Sequence, residues 1–105
     1  MGRNIVSSDG KFEWDEDKNN ANREKHGISF EEILPMFGDP LFYEQYDGFH
    51  STTEESRYLG MAKLHSVVVV VAVYTERIRT RIISARVSTS QEEARYEQWC
   101  KQFYD

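Results

Sequence analysis

Polar and apolar residues alternate over Lys11-Phe-Glu-Trp14, which predicts a short strand with Phe12 and Trp14 on one face. Residues 1–10 show no period of either kind and read as a flexible leader, leaving 11–105 as one domain. After Trp14 the pattern changes. Asp15 is a helix N-cap with Glu16 and Asp17 in the first turn, and Lys25, His26 and Gly27 form a basic last turn and a stop. Inside that helix only Ala21 is apolar, so it is either solvated or uses a polar face. Ser29-Phe-Glu-Glu32 is a capping box, and Phe30, Ile33, Leu34 and Phe37 follow at core spacing. Pro35 falls inside this second helix and predicts a kink or an early end.

Strand patterns fill the next stretch: Leu41–Tyr46, then a polar loop over Asp47–Thr53, then Arg57–Leu64. His65-Ser66 is a tight turn into Val67–Glu76, which is apolar on both faces as a covered central strand should be. Arg79–Val87 follows a turn near Arg77-Ile78. Ser90-Gln-Glu-Glu93 reads as a second capping box, opening a helix with Tyr96, Trp99, Cys100 and Phe103 on one side. The order β-α-α-β-β-β-β-α predicts an α+β domain: an antiparallel sheet with two N-terminal helices and one C-terminal helix packed on it.

Composition narrows the function classes. With 39% hydrophobic and 30% charged residues, the 105-residue chain reads as an ordinary globular domain. Its longest apolar run, Val67–Tyr74, is too short to span a bilayer, and the first ten residues lack the apolar core of a signal peptide. The expectation is a cytoplasmic protein with no membrane partner. Cys100 is the single cysteine, and His26, His50 and His65 stand in no ligand spacing, so neither a metal nor another cofactor is expected.

A net charge of −5 argues against a nucleic-acid partner until its distribution is considered. Residues 1–56 hold five Lys/Arg against thirteen Asp/Glu, whereas residues 57–105 hold eight against five. From Arg57 to Arg86 there are six basic side chains (Arg57, Lys63, Arg77, Arg79, Arg81, Arg86) and one acid, Glu76. Such segregation can build one basic surface on an acidic protein. Arginines that merely keep half-exposed strands soluble give the same pattern.

The residues Phe12-Glu-Trp-Asp-Glu-Asp-Lys18, Asn22 and Lys25-His-Gly-Ile-Ser-Phe-Glu-Glu32 resemble the N-terminal signature of the BrnT family of toxins. Asp39-Pro40, the Arg57…Gly60 strand, Tyr74-Thr-Glu-Arg77 and Arg81-Ile-Ile-Ser-Ala-Arg86 resemble its later signatures, in order, so the likeness covers residues 11 to 97. Pro35 and the short Leu64-His65-Ser66 turn depart from the family pattern. The resemblance implies a RelE-like fold and a metal-independent endoribonuclease that inhibits translation as the toxin of a type II toxin–antitoxin system. It also implies a cognate ribbon-helix-helix antitoxin that forms a heterotetramer with the toxin and through which alone the complex would touch operator DNA. The competing reading is a non-catalytic binding module acting through a protein partner.

Metal-free RNA cleavage needs a base for the 2′-OH proton, cations for the phosphate and an acid for the leaving oxygen. Histidine suits the proton transfers, and His26 belongs to the family-like Lys-His-Gly segment, although a His at a helix C-terminus also simply complements the dipole. His50, in a polar loop, and His65, in a turn, read as bystanders. Arginine binds phosphate bidentately, so Arg57, Arg81 and Arg86 join His26 as catalytic candidates. Arg81 and Arg86 are five positions apart and point to opposite faces unless a bulge intervenes. If one is structural, Arg86 is the better choice, since it could pair with Glu92 or Glu93. Lys18 and Lys25 share a helical face and, with Lys63, Arg77 and Arg79, are the candidate RNA-binding residues. Glu55 and Glu76 would serve as bases only if their pKa values were raised; facing arginines, they read as ion pairs.

Overall fold

The computed structural model describes residues 2–103; Met1, Tyr104 and Asp105, at the ends of the expected leader and domain, lie outside the described residues. In chain order the elements are β1 (Asn4–Val6), β2 (Phe12–Asp15), α1 (Glu16–His26), α2 (Phe30–Ile33), β3 (Tyr43–Tyr46), β4 (Arg57–Leu64), β5 (Val68–Glu76), β6 (Thr80–Val87) and α3 (Ser90–Cys100). The strands form one six-stranded sheet ordered β1-β2-β6-β5-β4-β3. Among the described residues no helix is long and apolar enough to cross a membrane.

The sheet corrects the sequence reading at its N-terminal end. Asn4–Val6 is not leader but an edge strand, antiparallel to β2. The hairpin between them turns at Asp9-Gly10, with Gly10 at φ 75° and Asp9 accepting from the Lys11 amide at 2.9 Å. An Asp-Gly pair beside apolar residues is a hairpin signal, but three strand residues are too few to show a period. The sheet is also mixed rather than antiparallel, because β2 runs parallel to β6. Short connections give antiparallel pairing in the β1–β2 hairpin and along the β3–β6 meander, whereas β2 meets β6 after most of the chain has intervened.

Local chemistry sets the helix ends. Asp15 accepts from the Lys18 amide at 3.0 Å to start α1, and Gly27, at φ 71°, stops it. Ser29 and Glu32 cap α2 reciprocally, but Pro35 ends the α-helix at Ile33 and Leu34–Gly38 continues as a 3-10 turn. The cap of α3 is Thr89 with Glu92, one residue before the expected Ser90–Glu93 pair; Thr89-Ser-Gln-Glu92 satisfies the same spacing rule. His65 and Ser66 close the β4–β5 turn with φ of 53° and 61°, left-handed conformations that cost a side-chain-bearing residue energy.

α1 buries a polar face. Asn19 and Asn22 are its buried residues. Asn22 donates to the carbonyls of Ile28 (2.9 Å) and Ala85 (2.8 Å) and accepts from the Ala85 amide (3.1 Å). β2 pairs with β6 only at Thr80 and Arg81, so farther along β6 the Asn22 side chain takes the place of a neighbouring strand.

The two faces of the sheet differ. Trp14, Ala62, Leu64, Val70, Ala72, Tyr74, Ile82 and Ala85 pack under Ile28, Phe30, Ile33 and Met36 on the side of α1 and α2. Gly60 belongs here because a Cβ would stand 2.2 Å from the Phe42 ring. On the other side α3 lays Tyr96 and Cys100 over Met61, Val69 and Val71. That single helix covers the half of the sheet near these residues and leaves the rest of the face without a helix.

Candidate functional site

The uncovered part of the second face is organised by one irregularity. Val73 pairs with Ser84 but Tyr74 pairs with Ile82, so Ile83 is an extra residue in β6. This bulge shifts the phase of the strand. Arg81, Ser84 and Arg86 lie opposite Thr75, Val73 and Val71, and Arg57 also lies opposite Thr75. Paired residues project to the same side, and Val71 belongs to the α3 core. Arg57, Arg81 and Arg86 therefore share one face, the arrangement that strand parity allowed only with a bulge. Arg57, Thr75, Arg81 and Glu13 form a row across β4, β5, β6 and β2. Beside it lies an open groove of about 410 Å³ whose lining includes Asp47, His50, Arg57, Leu59, Ser84 and Arg86.

The arginines are held unequally. Arg86 grips Glu92 with two bonds of 2.7 and 2.9 Å, and this contact, with the Thr89 amide, draws the Glu92 carboxyl down to about 2 against the cost of its burial. Arg86 thus ties β6 to α3 through the Glu92 contact that the sequence offered as its structural alternative. Arg81 uses only Nη1, bonded to Asn4 Oδ1 (2.6 Å) and Glu13 Oε2 (2.9 Å). The Arg57 guanidinium makes no hydrogen bond among the described residues; its nearest carboxylate oxygen is on Glu55 at 3.7 Å. Its Nε is buried without a partner, as is the hydroxyl of the fully buried Thr75 beside it in the row. Buried donors are nearly always satisfied, so two orphans side by side set this row apart from the rest of the sheet.

Glu55 accepts from Arg77 at 2.6 Å, and that bond, offset in part by burial and aided by the charges of Arg77, Arg57 and Arg81, holds its carboxyl below the usual range. It is an ion-pair partner, the role the sequence favoured. Desolvation raises Glu76, but this residue accepts from Thr80 and alternates with Thr75, so it points to the α1 side of the sheet. Neither carboxylate presents a raised pKa to the groove.

The β3–β4 loop forms one wall. The Asp47 amide donates to the Arg57 carbonyl, Ser51 Oγ donates to the Asp47 carbonyl at 2.6 Å, and the Arg57 amide donates to Ser51 Oγ at 2.8 Å. His50 Nδ1 meets Asp47 Oδ2 at 2.7 Å. Desolvation opposes it, but the ring and backbone of His50 keep the Asp47 carboxyl below its usual range.

Several residues picked from sequence lie elsewhere. His26 closes α1, which packs on the opposite face, and has no side-chain hydrogen bond or ion pair among the described residues. Lys18 and Lys25 are exposed on the same helix. Lys63, six positions along β4 from Arg57 and hence about 20 Å away, faces Glu97 of α3 at 3.5 Å. Arg77 is engaged with Glu55, and Arg79 donates to the Gly10 carbonyl at 3.1 Å and stands 3.8 Å from Glu13. His50, read from sequence as a bystander, lines the groove. Its one signal was an Asp three positions earlier in a loop leading to Arg57, which gives no direction in space.

A family model described as the ribonuclease toxin BrnT of type II toxin–antitoxin systems matches residues 14–92, from the end of β2 into α3. The chain belongs to the BrnT family. The matched span contains Arg57, Arg81 and Arg86 and the loop with Asp47 and His50. As a BrnT-family toxin of a type II system the chain has a cognate antitoxin as partner. Among solved structures, the crystal structure of the Brucella abortus ribonuclease toxin BrnT is similar, with a TM-score of 0.56 and 18% identity over 73% of this chain and 94% of that one. At that identity the likeness is one of fold. No curated protein sequence matches the chain.

Proposed function

We propose that this BrnT-family toxin is an endoribonuclease that cleaves RNA at the Arg57–Thr75–Arg81 row without a metal, on a RelE-like scaffold, and so inhibits translation. The observation that carries this reading is the Arg57 guanidinium. It is the groove arginine with no hydrogen bond of its own among the described residues, next to a second orphaned donor at Thr75. A phosphate oxygen could be met by the outer nitrogens of the partly exposed Arg57 side chain, and Arg81, with Nη2 and Nε unused, would share the charge that builds on phosphorus. The proposal leaves out His26, Lys18, Lys25 and Lys63, which the groove does not contain.

The partner side of the proposal is a ribbon-helix-helix antitoxin forming a heterotetramer with the toxin, in the cytoplasm, with operator DNA contacted only through the antitoxin. A non-catalytic binding module is the second reading. It is favoured by the carboxylates that already occupy Arg77, Arg81 and Arg86.

Purified protein incubated with RNA in the presence of a chelator tests the reading. Wild type is expected to cleave, and Arg57→Ala to cleave about 10²–10³ times more slowly, the loss typical of one oxyanion donor. His26→Ala is expected to match wild type. Absence of cleavage by the wild type, or undiminished cleavage by Arg57→Ala, refutes it.

A further inference from the structure

Cleavage at the arginine row needs a group to take the 2′-OH proton, and the carboxylates near it are poor candidates. Glu55 is held below its usual range by its arginines, Glu13 is engaged with Arg81, and Glu76 is on the other face. We infer that His50, oriented by Asp47, is the general base of the nuclease, a role that rests on the ribonuclease reading above. His50 and Asp47 line the same groove as Arg57, Ser84 and Arg86. The 2.7 Å contact to Asp47 Oδ2 assigns the proton on Nδ1 and leaves Nε2 as an acceptor.

The ring is not needed to hold the loop. Asp47 Oδ1 already accepts from the His50 amide at 3.3 Å, and Ser51 and Thr52 close the loop through the backbones of Asp47, Arg57 and Glu55. The imidazole is instead an addition, 60% exposed, fixed by a carboxylate that is only 15% exposed. A half-exposed histidine positioned by a shielded carboxylate is the arrangement that proton transfer at neutral pH requires.

The step conserves atoms. The O2′ proton passes to His50 Nε2 as the O2′–P bond forms and the P–O5′ bond breaks. O5′ takes a proton from solvent water, and the resulting hydroxide is neutralised by the imidazolium proton. The products are a 2′,3′-cyclic phosphate and a 5′-hydroxyl. Arg57 and Arg86 line the groove with the ring, Glu55 stands 3.7 Å from Arg57, and Asp47 is the ring's own partner.

The test compares cleavage of RNA by wild type, Arg57→Ala, His50→Ala and His50→Gln between pH 5 and 9 with chelator present. For wild type the rate is expected to rise tenfold per pH unit on the acid side and then level off once the base is fully neutral. His50→Ala and His50→Gln should each lose about 10²–10⁴-fold and the acid limb, and added imidazole should restore part of the Ala variant's rate. Gln can still donate to Asp47, so its loss cannot be ascribed to the loop. Arg57→Ala should be slower but keep the limb. If wild type and Arg57→Ala behave as expected while both His50 variants keep the rate and the limb, this inference is overturned and the nuclease reading stands. If wild type does not cleave, both fall.

Discussion

Removing the Asn22 side chain should loosen the whole domain, although Asn22 lies on a helix with almost no apolar face. Asn22→Ala deletes three hydrogen bonds, two donated to the carbonyls of Ile28 and Ala85 and one accepted from the Ala85 amide. Each is worth about 1 kcal/mol net. The loss is larger than the sum suggests, because Ala85 is 0% and Ile28 5% exposed, so water cannot replace the missing partner. Adding a small cavity term gives a destabilisation of about 3–4 kcal/mol. With a urea slope of about 1.5 kcal/mol/M for a domain of this size, the unfolding midpoint should drop by about 2 M. Asn22→Asp keeps the acceptor but not the two donors and buries a charge, so it should be no better. The neighbouring Asn20 is exposed, and Asn20→Ala should stay within about 0.5 kcal/mol of wild type. Urea unfolding followed by far-UV circular dichroism measures all three. If Asn22→Ala unfolds at the same urea concentration as Asn20→Ala, the idea that this side chain stands in for a strand beside β6 is wrong.

Two further outcomes follow from packing and charge. Gly60→Ala places a methyl 2.2 and 2.7 Å from Phe42 ring atoms and 3.0 Å from Tyr74; overpacking of this kind costs about 1–3 kcal/mol, lowers the melting temperature by about 5 °C or more, and should be partly repaired by Phe42→Leu in the same chain. Glu92 has a carboxyl depressed in the folded state to about 2 from an ordinary 4.5, so the stability it supplies is complete above the ordinary value and fades as pH falls towards 2. Glu92→Gln should therefore be less stable than wild type at pH 7, and the gap should close in acid; a gap that stays constant from pH 7 to pH 2.5 contradicts the assignment of that shift to Arg86.

Much of the frame was legible because its signals are local. Asp15, Ser29 and Gly27 mark helix ends through bonds made within three or four residues, and the unbroken apolar run of β5 announces a strand covered on both sides. What escaped was non-local. The parallel pairing of β2 with β6 joins residues nearly seventy positions apart (Phe12 with Thr80), and nothing in either segment states the partner. β1 is too short to show a period, and the α3 cap moved by one because two overlapping segments obey the same rule. The site was half legible. Residue type singled out Arg57 and Arg81, and the possible Arg86–Glu92 pairing was read from proximity in sequence. His26 ranked above His50 because motif membership is visible along a chain, whereas the wall of a groove exists only after the sheet has formed.

The extra residue at Ile83 has a consequence for how this surface can change. Arg81 and Arg86 meet on one side because of a count, not because of their identity. Straightening the bulge while keeping all five steps would send one of them through the sheet to the α1 side, into the apolar layer with Ile82 and Ala85, whereas deleting Ile83 would leave them four apart and still on one face. A point substitution at either arginine alters one contact; straightening the bulge at unchanged length dismantles the basic face while leaving composition, charge and motif letters intact. Drift in this surface is therefore gated by the bulge, and a chain with both arginines at the same spacing in a regular β6 would carry a different surface under the same spelling.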